Sequence, residues 1–178
     1  MTKAFKAGDI FVAHPGLDGD EDFARGVFLI IKAGDAGTLA VNIAGAEIMD
    51  GKVTKSGPID GRALLYLRKT DENQGLVIGD TGYSASPIYP DAEGMALLED
   101  KPADALALMG YAGWGKGQLA KEAKAGAWFE STASLEDIIR VPQAERWDAA
   151  SKGVYFNAPQ QNEKPAATKK KPGKSFDL

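Results

Sequence analysis

Residues 105–119 read Ala105-Leu106-Ala107-Leu108-Met109-Gly110-Tyr111-Ala112-Gly113-Trp114-Gly115-Lys116-Gly117-Gln118-Leu119. A short apolar run that ends at a glycine cluster reads as a buried strand. The glycines then interleave with two aromatics and open into a helix that starts near Lys116 or Gly117. Leu119, Ala120, Ala123, Ala127 and Trp128 fall roughly on one helical face, with Gln118, Lys121, Glu122 and Lys124 pointing elsewhere. Gly126 is placed to end that helix in the left-handed conformation. The local plan is strand, glycine loop, helix.

Such a loop admits two readings. Without a Cβ at Gly110, Gly113, Gly115 and Gly117, the chain can turn with positive φ or pass close to another group. Tyr111 and Trp114 offset the ordering cost by burying large surfaces, provided the phenol and the indole N–H find partners. The result is a tight turn plugged by its aromatics. The same loop presents unpaired N–H groups and a partial positive charge at a helix start, which suits an anion or small ligand. It is not a phosphate loop of the magnesium-binding kind, because Lys116 is followed by Gly117 and not by Ser or Thr. The dinucleotide spacing G-x-G-x-x-G does not fit either.

Working outward toward the N-terminus, Ile10–Ala13 reads as a strand stopped at His14-Pro15-Gly16. The acidic stretch Asp18-Gly19-Asp20-Glu21-Asp22 reads as a solvated turn or helix cap. A calcium loop would need a closing Glu and flanking helices, which are missing. Val27 to Lys32 is continuously apolar up to its lysine, as for a central strand covered on both faces. The turn Gly34–Gly37 passes to an antiparallel partner over Thr38–Ile43. Asn42 lies within that strand; its amide satisfies nearby backbone or contacts a ligand. Asp50 to Lys55 is polar, and Ser56-Gly57-Pro58 is a turn. Ala63–Arg68 and Leu76–Ile78 read as strands, with turn residues over Gly79–Tyr83. Asp91 caps a helix over Ala92–Glu99. Beyond Phe129, Ser134 caps a helix with acids in its first turn, and Pro142 opens a last helix closed by Gly153.

The 178 residues have room for one domain with a sizeable core. The domain spans 1–157, and the Lys-rich stretch 158–178 is too polar to offset its ordering entropy, so a disordered tail is expected. Five lysines from Ala158 onward face Glu163 and Asp177, a surplus of +3; with a net charge of −4, the body carries −7. An acidic body repels phosphate backbones, which makes direct DNA binding by the folded part unfavourable. Cysteine is absent, so thiolate metal sites and disulfides are excluded, as suits a cytoplasmic protein. No apolar run approaches the ~20 residues of a membrane span, and the N-terminus lacks the pattern of a signal peptide.

Little here promises catalysis. His14 is the only histidine, at a strand end where a base could sit. One histidine without cysteine builds no usual zinc site, and no serine lies in G-x-S-x-G. No metal and no cofactor is expected. Arg62, Arg140 and Arg146 can each anchor a carboxylate, with nothing in their spacing to choose between them. Trp114, Trp128 and Trp147 are read as core plugs.

Four stretches taken together resemble one family. They are Ala13-His14-Pro15 with Asp18 and Phe23-Ala24-Arg25; Val41-Asn42-Ile43; Ser56-Gly57-Pro58; and Gly110-Tyr111-Ala112-Gly113-Trp114-Gly115 with Gly117-Gln118-Leu119, Glu122, Gly126-Ala127-Trp128 and Arg146-Trp147. The pattern is similar to that of the YqgE/AlgH family of small bacterial proteins, over Gly8 to about Tyr155. Arg25-Gly26 departs from the usual Arg-Ser, and Ser56-Gly57-Pro58 from the usual Gly-Gly-Pro. The resemblance implies a single α+β domain on a mixed, mostly antiparallel sheet with flanking helices. It implies no settled activity; some members are proposed to regulate transcription.

Two functional expectations follow. The first is a non-catalytic cytoplasmic binding or regulatory domain with a small ligand or protein partner. Its site would join the Gly110–Gln118 loop, with Gly113, Trp114, Gly115, Lys116 and Gln118, to the Ser56-Gly57-Pro58 turn and to the His14–Arg25 segment, with Asn42 near. The second is an enzyme with His14 as base and Arg25 or Lys116 holding an anionic substrate.

Overall fold

In the computed structural model, residues 5–17, 19–20, 23–61, 63–70 and 75–156 are described. Asp18, Glu21, Asp22, Arg62 and the expected tail lie outside the described residues. The centre is the hairpin of β2 (Val27–Gly34) and β3 (Gly37–Asn42), antiparallel, with Gly34 opposite Gly37. Val27 to Ile31 are buried on both faces, as a continuous apolar run requires. An irregularity between Ile30 and Lys32 shifts the register and lets Lys32 reach solvent. On one side β1 (Ile10–Ala13) and then β11 (Trp128–Glu130) extend the sheet; on the other, β10 (Ala112–Trp114) pairs with β3. All pairs in this five-stranded sheet are antiparallel.

A second sheet has six strands. They are β4 (Glu47–Ile48), β5 (Val53–Lys55), β6 (Leu64–Lys69), β7 (Leu76–Val77), β8 (Tyr83–Ile88) and β9 (Leu106–Met109), in the order β4-β5-β9-β6-β8-β7. Only its β5–β9 pair is parallel. The strands thus form two sheets, mixed and mostly antiparallel. Among the described residues four α-helices accompany them: α1 (Ala92–Glu99), α2 (Gln118–Lys124), α3 (Leu135–Ile139) and α4 (Arg146–Ser151). The architecture is a single α+β domain.

Strand alternation divides the core into layers. Val12, Leu29, Val41, Leu67, Leu108 and their neighbours form the cluster between the two sheets, joined by Leu135, Ile138 and Ile139 of α3. Phe11, Phe28, Trp114 and Trp128 point to the other face of the five-stranded sheet, under Leu119 of α2. Val53, Tyr66 and Ala107 face outward from the six-stranded sheet, under Leu98 of α1. Each fully buried large apolar side chain contributes about 1.5–3 kcal/mol, so the double-faced strands dominate stability.

Several local expectations hold. Asp91 accepts from the Gly94 N–H at 2.8 Å, and Ser134 from the Asp137 N–H at 3.2 Å. Gly126 has φ +92° just past α2. Others are corrected. The helix does not reach Trp128, which begins a strand, and Glu122 is buried instead of pointing to solvent. Half of the expected glycine loop is strand β10. The polar segment after Asp50 contains β5, and β8 starts where turn chemistry was read. Both strands were hidden because serine, threonine and proline break up their apolar pattern, so pairing partners decide.

Candidate functional site at the seam between the sheets

The glycine segment carries the chain from one sheet to the other: β9 lies in the six-stranded sheet, β10 in the five-stranded one. Gly110, at φ +85°, makes the corner. There the Ser56-Gly57-Pro58 turn meets it backbone to backbone. The Ser56 N–H donates to Met109 O at 2.7 Å, and its hydroxyl lies 3.0 Å from Met109 O and 2.6 Å from Gly110 O. Tyr111 and Ile59 exchange N–H···O bonds of 2.9 Å in both directions. A Cβ on Gly57 would fall 2.1 Å from the Tyr111 carbonyl carbon, and one on Gly110 would fall 2.4 Å from Gly57 O. Neither position admits a side chain. Two of the expected segments do share one joint.

Beyond the corner, Gly113 is buried opposite Leu39, and Trp114 is 1% exposed. The Trp114 ring stands edge-on to Phe11, Phe28 and Trp128, at centroid distances of 5.5, 5.7 and 5.9 Å. Phe23 joins it at 6.3 Å, which ties in the His14–Arg25 segment. Both indoles need an acceptor in this dry box. Glu122 supplies it: Oε1 accepts from Trp114 Nε1 at 3.1 Å and from Trp128 Nε1 at 2.9 Å. Its Oε2 accepts from Gln118 Nε2 at 3.0 Å, and Gln118 Oε1 accepts from the Gly115 N–H at 2.9 Å. Trp114 and Gln118 therefore belong to a structural network. Gly115, Lys116 and Gly117 form its exposed corner.

Asn42 also turns inward. Its Oδ1 accepts from the Val27 and Ala44 N–H groups, at 3.1 and 3.0 Å. His14 is 9% exposed and its Nδ1 accepts from the Gly16 N–H at 2.7 Å. Its ring lies 5.8 Å from Phe129 and 5.7 Å from Phe156. Arg25, at φ +52°, holds its guanidinium 4.4 Å over Trp147, whose indole donates to Ala13 O at 3.0 Å. So the histidine end of the segment sits with α4 and the C-terminal aromatics, while its Phe23 reaches the glycine segment. Gly26 fits for a local reason, since a Cβ there would fall 2.5 Å from Phe28 Cε2.

The sequence reading missed other residues. Of the three arginines, Arg140 is exposed, 3.5 Å from Asp137, and Arg62 is outside the described residues. Arg146 is buried, and what it anchors is backbone carbonyl, not carboxylate. A cavity of about 170 Å³ has Arg146 on its wall, and a shallower one of about 370 Å³ lies beside Tyr66 and Arg68. Neither is lined by a residue of the seam. Among the described residues no helix is long and apolar enough to cross a membrane, and no group of His, Cys, Asp or Glu could hold a metal.

The AlgH-like sequence pattern matches residues 10–158, nearly the whole described fold. This chain belongs to the AlgH-like family. A UPF0301 protein of Stenotrophomonas maltophilia (strain R551-3) is 28% identical over 173 residues, 86% of this chain and 92% of its own. The solution structure of the AlgH protein from Pseudomonas aeruginosa covers 88% of this chain and 94% of its own, with TM-score 0.62 and 20% identity. A crystal structure of a Corynebacterium diphtheriae protein gives TM-score 0.63 at 21% identity, covering 85% and 89%. At these identities the solved structures speak for the fold of the family.

Proposed function

We propose that this member of the AlgH-like family is a cytoplasmic binding or regulatory domain without catalysis, its ligand or protein partner received at the seam. One observation carries the reading. A single glycine segment locks the Ser56-Gly57-Pro58 turn and, through Trp114 and Phe23, the His14–Arg25 segment, and it offers an exposed corner at Gly115-Lys116-Gly117. A cation on a rigid, glycine-lined turn favours an anionic group. The regulatory role, linked to transcription, comes from family likeness and acts through a partner, because the acidic body disfavours DNA itself.

The enzyme alternative has less support. A base must face its substrate, whereas His14 is nearly buried and Nδ1 already accepts a backbone N–H. Ser56 spends its hydroxyl on carbonyls.

A thermal-shift screen of nucleotides, phosphosugars and simple anions tests the reading on the parent chain, Lys116→Ala and Gly115→Val. A Cβ at Gly115 meets only Gln118 Oε1, at 3.6 Å, so the position admits a side chain that would fill the corner. A stabilising ligand whose effect both variants abolish supports the proposal. No shift with any compound, or shifts that neither variant changes, removes the seam as a site.

A further inference from the structure

Outside the seam, the cavity of about 170 Å³ is walled by β5, β9, the segment after α1 and the first residue of α4. Its chemistry comes from Lys52, Lys101, Arg146, Thr54 and Glu47. The lining thus carries three cations against one carboxylate, in a chain of net charge −4. We propose that this cavity is a binding site for a small oxyanion, a phosphate or a short carboxylate, held by Arg146 and Lys101. It shares no residue with the seam, and either site can fail alone.

The donors left on Arg146 carry the inference. It is 7% exposed, and three carbonyls fix its guanidinium: Nε donates to Val141 O at 3.2 Å, one terminal nitrogen to Ile43 O at 3.1 Å, and the other to Ile139 O at 3.3 Å. A guanidinium has five N–H donors in a fixed fork. One N–H on each terminal nitrogen therefore remains, on a residue that lines the cavity. Lys101 Nζ gives one of its donors to Ala105 O at 3.1 Å and keeps the others. The Thr54 side chain adds a hydroxyl to the same wall. The hydrogen-bond partners of Arg146 are all neutral, and the one carboxylate that acts on it from the same lining is Glu47.

Such a wall is costly when empty of anions. Burial lowers the pKa of Lys101 and the neighbouring Arg146 lowers it further, with Glu47 and Asp104 acting the other way; burial likewise lowers that of Arg146, against Glu47. Two like charges drawn out of water repel, and an anion between them reverses the sign of that interaction. Lys52 is already engaged with Glu99 at 2.6 Å, so it borders the site and does not complete it. Size selects the class. The cavity equals the liquid volume of five or six waters at about 30 Å³ each, below the ~300 Å³ where drug-sized pockets begin. An ion or a short carboxylate fits; a nucleotide does not.

The test is a titration of the full-length ¹⁵N-labelled chain, followed by amide and Arg Nε–H resonances. Sodium phosphate is added in one series and sodium acetate in another, at ionic strength held constant with chloride. The expected result is a saturable shift at Thr54, Lys101 and the Arg146 Nε–H with at least one of the two anions, and which anion saturates names the source. Lys101→Met weakens that affinity about tenfold or more, roughly 1.4 kcal/mol per decade, while Lys116→Ala leaves it unchanged. Lys101→Met is preferred to an Arg146 variant, which strips three carbonyls of their donor. Shifts that stay linear in anion, or a response in Lys101→Met equal to that of the parent, overturn the proposal and leave the cavity to water.

Discussion

Glu122 and Arg146 are both buried charges on helices, and the fold surrounds them in opposite ways. Glu122 lies over the outer face of the five-stranded sheet, where indole and amide donors from Trp114, Trp128 and Gln118 occupy both of its oxygens. The aromatic box beneath it is closed. Arg146 is held by the ends of neighbouring elements, Ile43, Ile139 and Val141, and still has donors to spare beside a cavity. A buried charge with side-chain partners on every oxygen organises a core. One whose partners leave a gap is poised for something else.

The largest expected effect is on the closed side. Trp114→Ala removes the ring at the centre of the box and the glycine segment's anchor, and should cost about 3–5 kcal/mol. Urea melts that superimpose on those of the parent would break the picture of a load shared through that ring. Next is Glu122→Gln. If its carbonyl oxygen keeps both indoles, its NH₂ confronts that of Gln118, and Gln118 cannot flip without losing the Gly115 N–H. One donor is left over at a part-buried contact, at about 1 kcal/mol. An unchanged melting curve would mean that the network is slack.

Between the two regions, in the layer shared by both sheets, the Tyr83 hydroxyl is buried with no hydrogen-bond partner among the described residues. Tyr83→Phe should therefore stabilise by about 1 kcal/mol. Burial raises the Tyr83 pKa above 10.0. The unfolded chain then ionises first, the folded state holds the extra proton, and stability falls as pH rises from about 10 through the raised pKa. The phenylalanine variant should lose less stability than the parent in that alkaline window, as read by urea melts across pH. The smallest effect belongs to the open side. Lys101→Met exchanges a desolvated ammonium and one carbonyl bond for apolar volume, and stability should stay within about 0.5 kcal/mol. A loss of several kcal/mol would show that Lys101, like Glu122, is structural, and the contrast between the regions would vanish.

How much of this was written in residue order depends on range. Val27–Ile31, the hairpin at Gly34–Gly37, the Asp91 and Ser134 caps and the stop at Gly126 follow from rules acting within a few residues, and they were legible. β5 and β8 were not, because Thr54 and Ser84 are buried only once their partner strands are in place. The two tryptophans announced an unmet need for acceptors. That Glu122 meets it could be suspected from its position between them, yet the helical pattern alone put it off the apolar face. His14 and Ser56 looked chemical on paper, and the tertiary structure gives both to the backbone.

By itself, then, the sequence determined the α+β class, the run of strands that fills the core and the family motif around Gly110–Trp114. The strands depend on local propensity and on apolar periodicity, which each residue carries with it; the class came through likeness to the family. Only the tertiary structure decided that the strands divide into two sheets, that Gly57 and Gly110 interlock, and that Arg146, Lys101 and Thr54 wall one cavity. Those outcomes need residues far apart in the chain to meet, and loop closure brings them together only when the whole core forms.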